Sequence, residues 1–194
     1  MYIKNTVLFK RFFDLILSSA LILLLSALIL LISVIIKFTS SGNIIYWSER
    51  IGRHEKPFLM PKFRTMKRDT PAVATHLLGD IEQHLTLPGK FLRKTSLDEL
   101  PQLYSIFKGD MSFVGPRPAL YNQDDLILLR RKKNVHLLIP GLTGLAQING
   151  RDNLPIIRKV ELDAEYLENQ SFLLDLKIIF LTIFKTLMVQ DISH

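Results

Sequence analysis

Residues 15–36 read LILSSALILLLSALILLISVII, 22 positions without a charge or a proline, interrupted only by Ser18, Ser19, Ser26 and Ser33. As one helix at about 1.5 Å per residue the run would reach roughly 33 Å, comparable with the hydrocarbon core of a bilayer. A buried helix of a soluble protein is a poor account of so long an uncharged run. A cleaved signal sequence fits poorly as well, because no small-residue cleavage site follows before Lys37. Composition alone therefore reads as a straight membrane span. Flanking charge complicates that reading: Lys4, Lys10 and Arg11 precede the run, and Lys37, Arg50 and Arg53 follow it. Cations prefer the cytoplasmic side, and a helix that enters one leaflet, bends and returns keeps both sets there. Such a bend needs a local cause. Ser26, followed by Ala27, is the central candidate, since a serine hydroxyl can bond back to a helix carbonyl.

The whole chain has 194 residues, enough for one domain with a core, and carries a formal charge of +7 with a sequence pI of about 9.7. Excess positive charge points to anionic partners. The concentrated apolar run selects membrane lipids over nucleic acid, and the cations Arg130 to Lys133 lack the interleaved aromatics on which bases would stack. We read that basic run as a solvated or lipid-facing surface. The absence of cysteine excludes disulfides and thiolate metal sites.

Beyond Lys37 the pattern becomes that of a globular domain. Ile44–Trp47 predicts a short strand or apolar patch, and Phe58–Met66 a second strand that carries Lys62 and Arg64, with Pro61 arguing for an edge position. Residues 69–90 predict loop plus a short helix; His76, Asp80, Glu82 and His84 within it read as exposed polar residues rather than a metal site. Leu100–Phe107 predicts a short helix with Pro101 near its first turn, Lys108–Asp110 a turn, and Asp124–Lys133 another helix. Pro140-Gly141 and Asn149-Gly150 are turn signals bracketing Leu142–Ile148. Phe172–Val189 predicts a strongly apolar helix whose Asp175 and Lys177 argue against a second span; core and an interfacial amphipathic helix are both open for it.

Chemistry concentrates on the adjacent acids Asp98 and Glu99, with Arg93 and Lys94 upstream and Arg117 held between Pro116 and Pro118 downstream. A carboxylate that attacks phosphorus must stay ionised beside an anionic substrate, and fixed cations can lower its pKa while neutralising the phosphate. Ser96 with Glu99 also fits a capping box, so the same acids predict a helix start. Gln147 and Asn149 offer amides suited to a pyrimidine edge, and Arg151 adds a cation.

Four motifs then fall in order: Lys62-Phe63-Arg64-Thr65-Met66; Thr95-Ser96-Leu97-Asp98-Glu99-Leu100-Pro101-Gln102-Leu103; Lys108-Gly109-Asp110-Met111-Ser112 through Gly115-Pro116-Arg117-Pro118; and Pro140-Gly141-Leu142-Thr143-Gly144 through Gln147-Ile148-Asn149-Gly150-Arg151. Together they resemble the bacterial sugar transferases called monotopic phosphoglycosyl transferases, over nearly the whole chain. The resemblance implies an α+β, mainly helical enzyme of the bacterial inner (cytoplasmic) membrane. Residues 1–38 would form a re-entrant membrane helix, and residues 39–194 a cytoplasmic-face catalytic domain with a short β hairpin and a C-terminal interfacial helix. It implies transfer of a sugar phosphate from a UDP-sugar to undecaprenyl phosphate, with UMP released and a surface glycan (O-antigen, capsule or glycoprotein) begun. Asp98 would be the nucleophile, forming an aspartyl phosphosugar, with Glu99 and Asp98 at Mg2+. Lys62, Arg93, Arg117, Gln147, Asn149 and Arg151 would meet the substrate. Membrane lipids are expected partners, nucleic acid is not, and a homodimer is left open. Pro118–Leu126 resembles subfamily members that use N-acetylated 6-deoxy sugars. One departure concerns the membrane helix: the family's serine-proline pair is Ser26-Ala27 here. A membrane-anchored nucleotide-sugar hydrolase and a non-catalytic basic membrane adaptor are the rival readings.

Overall fold

The computed structural model describes residues 2–68, 70, 81–150 and 153–187, with side chains from Leu8 onward. Helices dominate, as the sequence predicts, with a small sheet and a strand pair between them. The apolar run is not one straight rod. Helix α1 (Tyr2–Leu24) gives way at Leu25 to helix α2 (Ser26–Thr39), and the two are bent by 60°. No single described helix is long and apolar enough to cross a membrane, whereas the bent pair passes on length and composition. The straight span expected from composition is thus corrected. The break falls where the serine is: Leu25 leaves helical geometry (φ −93°, ψ 6°), and Ser26 Oγ donates to Leu23 O at 2.8 Å. That bond engages a carbonyl of the helix ladder beside the break, where no proline stands.

The base of α1 is built into the domain. Arg11 donates to Ile106 O and Phe107 O, both at 2.6 Å. Asp14 Oδ1 accepts from Phe113 N, and Lys10 pairs with Asp175, whose other oxygen accepts from Tyr166. Two of the flanking cations read from the sequence as topology signals are therefore also structural. Farther along, Leu17, Leu21 and Ile22 pack on a core of Met60, Leu103, Ile106, Met111, Phe113, Tyr166 and Ile178. In α2, Ile32 and Ile36 meet Phe63 and Leu92. Opposite faces stay bare: Leu23, Leu24, Leu30 and Phe38 are exposed.

Strands β1 (Ile45–Ile51) and β2 (Pro57–Phe63) form the expected hairpin, paired from Ile45↔Phe63 to Ile51↔Pro57. Its loop closes through His54 and Glu55, both at positive φ, a combination whose twist suits antiparallel strands. The sheet order β2-β1-β4, with β4 spanning Ala119–Leu120, puts β2 at an edge, where Pro61 leaves no missing ladder donor. A second, parallel pair joins β3 (Ser112–Val114) to β5 (Gly141–Thr143). Here the backbones nearly touch: a Cβ on Gly141 would lie 2.1 Å from Gly115 N.

The remaining helices are α3 (Leu87–Lys94), α4 (Gln102–Lys108), α5 (Asp124–Lys132), α6 (Leu145–Ile148), α7 (Ile156–Glu168) and α8 (Phe172–Leu187). Helix α7 was not anticipated. Helix α8 is the predicted C-terminal element as far as the described residues extend, and one of its faces is core, as one reading expected. It buries Asp175 and Ile178 against the core and exposes Leu173, Phe180, Ile183 and Phe184. Its first residue, Phe172, meets Phe9 and Phe13 of α1 edge-to-face at 4.9 and 5.3 Å.

Candidate active site

Asp98 and Glu99 stand in a 3-10 turn, Leu97–Glu99, that runs through Leu100 and Pro101 into α4. The acids do begin a helix, but not through a capping box. Ser96 has φ +57° and its side chain makes no capping bond. The Glu99 carboxylate goes elsewhere because full cations outbid a backbone N–H for it. Lys62 Nζ donates to Glu99 Oε1 at 2.8 Å, and Arg117 Nη2 donates to the same oxygen at 2.6 Å.

Three segments deliver these groups. Lys62 projects from edge strand β2; the solvated strand face open to it in the sequence is not what it has, since only 17% of its side chain is exposed. Its neighbour Arg64 lies past the strand end and donates to Ser41 O. Arg117 sits between two prolines in the link from β3 to β4. Arg93 lies in the last turn of α3, and its charge acts on Asp98.

The two acids experience opposite electrostatics. Burial pushes the Asp98 carboxyl from its ordinary 3.8 up to about 6, with the Glu99 charge adding to the rise and Lys62, Arg93 and Arg117 opposing it. Burial also works against ionisation of Glu99, yet Arg117 and Lys62, by charge and by direct hydrogen bonds, hold its carboxyl well below the usual carboxylate range. The expectation that cations would lower the acids' pKa therefore holds for Glu99. At Asp98 desolvation wins.

Arg117 is itself braced from behind. Arg130 Nη1 donates to Arg117 O at 2.8 Å, while its Nε and Nη2 reach Asp163 Oδ2 at 3.0 and 2.7 Å. Asp163 is 1% exposed. This corrects the reading of Arg130 as part of a solvated basic run: a carboxylate carried inward by α7 needs a cation, and Arg130 supplies it. Arg131 pairs with Glu55 at the surface, and Arg131, Lys132 and Lys133 form the exposed part of the run. Only the placement of Asp163 between Leu162 and Ala164, on the inward face of a 3.6-residue pattern, could have signalled this pair.

Gln147, on α6, buries both amide atoms without a hydrogen-bond partner. It lies near Gly115, two residues before Arg117: a Cβ on Gly144 would be 2.2 Å from Gly115 O and 2.8 Å from Gln147 Oε1. Asn149 is exposed and donates to Leu145 O, closing α6. Arg151 lies outside the described residues, as do His76 and Asp80. Glu82 pairs with Lys90 on the surface.

Among the described residues no three His, Cys, Asp or Glu side chains gather at one point. Mg2+ does not require three, because it is usually held through one or two carboxylates plus substrate phosphates. Asp98 and Glu99, neighbours in the chain, carry carboxylates of that donor chemistry.

Comparison with known proteins shows the family. The family described as bacterial sugar transferase matches residues 5–189. The uncharacterized sugar transferase EpsL of Bacillus subtilis is 42% identical over 190 residues, covering 97% of this chain and 92% of its own. The UDP-glucose:undecaprenyl-phosphate glucose-1-phosphate transferase of Klebsiella pneumoniae is 43% identical over 92% of this chain, which spans 40% of that relative's length. The undecaprenyl-phosphate galactose phosphotransferase of Salmonella typhimurium is 36% identical with the same coverage, 92% and 40%. On the family match and these identities, the chain belongs to the bacterial sugar transferase family, and the Klebsiella pneumoniae and Salmonella typhimurium relatives are named as sugar-phosphate transferases.

Proposed function

We propose that this protein transfers a sugar phosphate from a UDP-sugar to undecaprenyl phosphate by way of a covalent intermediate on Asp98. The observation that carries the reading is the divided acid pair: one carboxylate locked by Lys62 and Arg117, the other buried beside it among cations and titrating near 6. Above that pH Asp98 is an ionised oxygen nucleophile in a site poor in water. Its oxygen attacks the sugar-bearing phosphorus, the bond from that phosphorus to the UMP oxygen breaks, and UMP leaves. An oxygen of the lipid phosphate then attacks the same phosphorus and displaces the Asp98 carboxylate. Two encounters replace one meeting of two anions. Arg93 and Arg117 face the phosphates, and Gln147, with Asn149 and Arg151, serves the nucleotide. Mg2+, held by Glu99 and Asp98, would neutralise charge on the diphosphate when bound.

The test supplies UDP-sugar and Mg2+ without lipid. A covalent mechanism gives UMP equal to the enzyme present and a phosphosugar mass on Asp98, both lost in Asp98→Asn. Continuous UMP release would mean a hydrolase, and no release an adaptor. Full activity of Asp98→Asn would refute the assignment.

For the sugar, the Pro118–Leu126 stretch supports an N-acetylated 6-deoxy sugar, whereas the names of the relatives favour a hexose. A panel of UDP-N-acetylquinovosamine, UDP-N-acetylfucosamine, UDP-diacetamidobacillosamine, UDP-glucose and UDP-galactose decides between them. For topology, the 60° bend and the charges on both flanks support a re-entrant helix with the catalytic domain on the cytoplasmic face. A reporter fused ahead of Lys4 that reads extracytoplasmic would sink it.

A further inference from the structure

The return limb of the bent helix pair brings the chain out beside the strand that carries Lys62. Helix α2 ends at Thr39, and Arg64 N donates to Ile44 O at 2.9 Å, which continues the β1–β2 ladder one pair beyond Ile45↔Phe63. Side chains alternate along such a strand, so Arg64 leaves it on the Lys62 face, roughly 7 Å farther along. Lys62 holds Glu99. Arg64 stands one step nearer the end of α2, where its Nη1 donates to Ser41 O at 3.1 Å.

The seat of that guanidinium is bare backbone. Gly42 has φ +109°, and a Cβ there would lie 2.0 Å from Arg64 Nη1. Glycine is thus required twice, by the backbone angle and by the cation pressed against it. Among the described residues, the bond to Ser41 O is the one hydrogen bond the half-buried Arg64 side chain makes. A guanidinium is a planar fork of N–H donors that can meet a phosphate with two at once, and one carbonyl leaves most of the fork open. Lys62 and Arg117 are in the opposite condition, both taken up by Glu99.

The surroundings select the phosphate. Lys37 and Phe38, in the last turn of α2, are exposed, and so are Tyr46 and Trp47 on β1. Lysine beside exposed aromatics at the end of an apolar helix is the composition of a headgroup layer. A UDP-sugar is water-soluble and reaches the acids from solvent. A polyprenyl phosphate is held by its hydrocarbon chain, so its phosphate approaches from the side where α2 emerges. We propose that Arg64 binds the phosphate monoester of the lipid acceptor at this exit, next along β2 from the Lys62–Glu99 pair. This rests on the transfer to undecaprenyl phosphate proposed above, and it assigns Arg64 to the second half of that reaction alone.

The test titrates undecaprenyl phosphate into the whole chain in a nonionic detergent, wild type against Arg64→Gln and Arg64→Lys, and measures the lipid-independent UMP burst of each. Loss of a charge-assisted contact should weaken lipid binding about 10- to 100-fold in Arg64→Gln, with burst rate and melting temperature as in wild type. Arg64→Lys keeps the charge without the fork and should fall between the two. Undiminished lipid binding in Arg64→Gln would overturn the proposal. So would weaker binding accompanied by a lower melting temperature and a slower burst, because Arg64 would then be a brace for the turn after α2. Phosphatidylglycerol separates the acceptor from headgroups in general: if an excess of it displaces undecaprenyl phosphate from wild type, the site takes any anionic lipid and the assignment fails. A wild type that gives no burst with any sugar of the panel would sink the nucleophile on Asp98 instead, and the lipid titration would still decide Arg64.

Discussion

Replacing Asp98 by asparagine should destroy the proposed activity and stabilise the protein. In the folded chain the Asp98 carboxyl titrates near 6 rather than 3.8, because burial disfavours its charge. A raised carboxyl pKa means that the folded state holds its proton more tightly than the unfolded state. Stability is therefore greatest below the unfolded value and falls as pH rises through the folded one. The rise is about 2 units, and at 1.36 kcal/mol per unit wild type gives up about 3 kcal/mol by pH 8. Asparagine carries no charge and avoids that loss, though its added N–H2 needs a partner and makes the figure an upper one. For a chain of this size, with about 2 to 4 °C per kcal/mol, Asp98→Asn should melt several degrees above wild type at pH 8. Fluorescence of the single tryptophan, Trp47, can follow both melts in one detergent. The gap should close as pH falls from about 6 to about 4, where wild type also becomes neutral at this position. Equal melting temperatures at pH 8, or a gap that ignores pH, would refute the desolvated acid as the source of the shift.

Three further outcomes follow from the same contacts. The UMP burst rate should rise with pH up to about 6, where Asp98 loses its proton, and level off above; stopped-flow or quench measurements that show a flat rate from pH 5 to 8 would contradict this. Glu99→Gln leaves Lys62 and Arg117 without their shared carboxylate, which should cost about 3 to 5 kcal/mol in denaturant midpoint analysis. It should also move the acid limb of the burst to lower pH, since the Glu99 charge is one cause of the high Asp98 value. Asp163→Asn strands the buried Arg130 and should cost a similar amount, while the double change Arg130→Met with Asp163→Leu should recover most of it. A double-mutant cycle showing no coupling would rule out that pair as a brace for Arg117.

What was legible in the sequence was whatever depended on local chemistry. Pro61 placed β2 at an edge because a missing N–H has one tolerable location, and Ser26 marked the bend, where its hydroxyl reaches the Leu23 carbonyl. The prolines around Arg117 marked a supported guanidinium, and it does hold Glu99. What stayed hidden depended on distant partners. Arg130 looks like its three basic neighbours until α7 delivers Asp163 to it. Strands β3 and β5 pair through segments too short to carry a period of two, and their contact depends on glycine space at Gly115, Gly141 and Gly144. The left-handed Ser96 defeated the capping box, because the box assumes that Glu99 has nothing better to bind.

That competition for Glu99 is also what makes two adjacent carboxylates unequal. Both are buried, and burial alone would raise both. Lys62 and Arg117 converge on a single oxygen of Glu99, so the hydrogen bonds that stabilise its charge are not shared with Asp98. Asp98 receives these cations only through space and also receives the repulsion of an ionised Glu99 next door. One acid becomes a permanent anion that organises the cations; the other keeps a basicity nearer neutrality, which raises the nucleophilicity of its ionised form. Pairs of titratable groups driven apart in this way are how one site assigns different tasks to like side chains. Loss of Lys62 or Arg117 should therefore raise both carboxyls, Glu99 by more because it loses a direct hydrogen bond as well as a neighbouring charge, and so narrow the separation between the two acids.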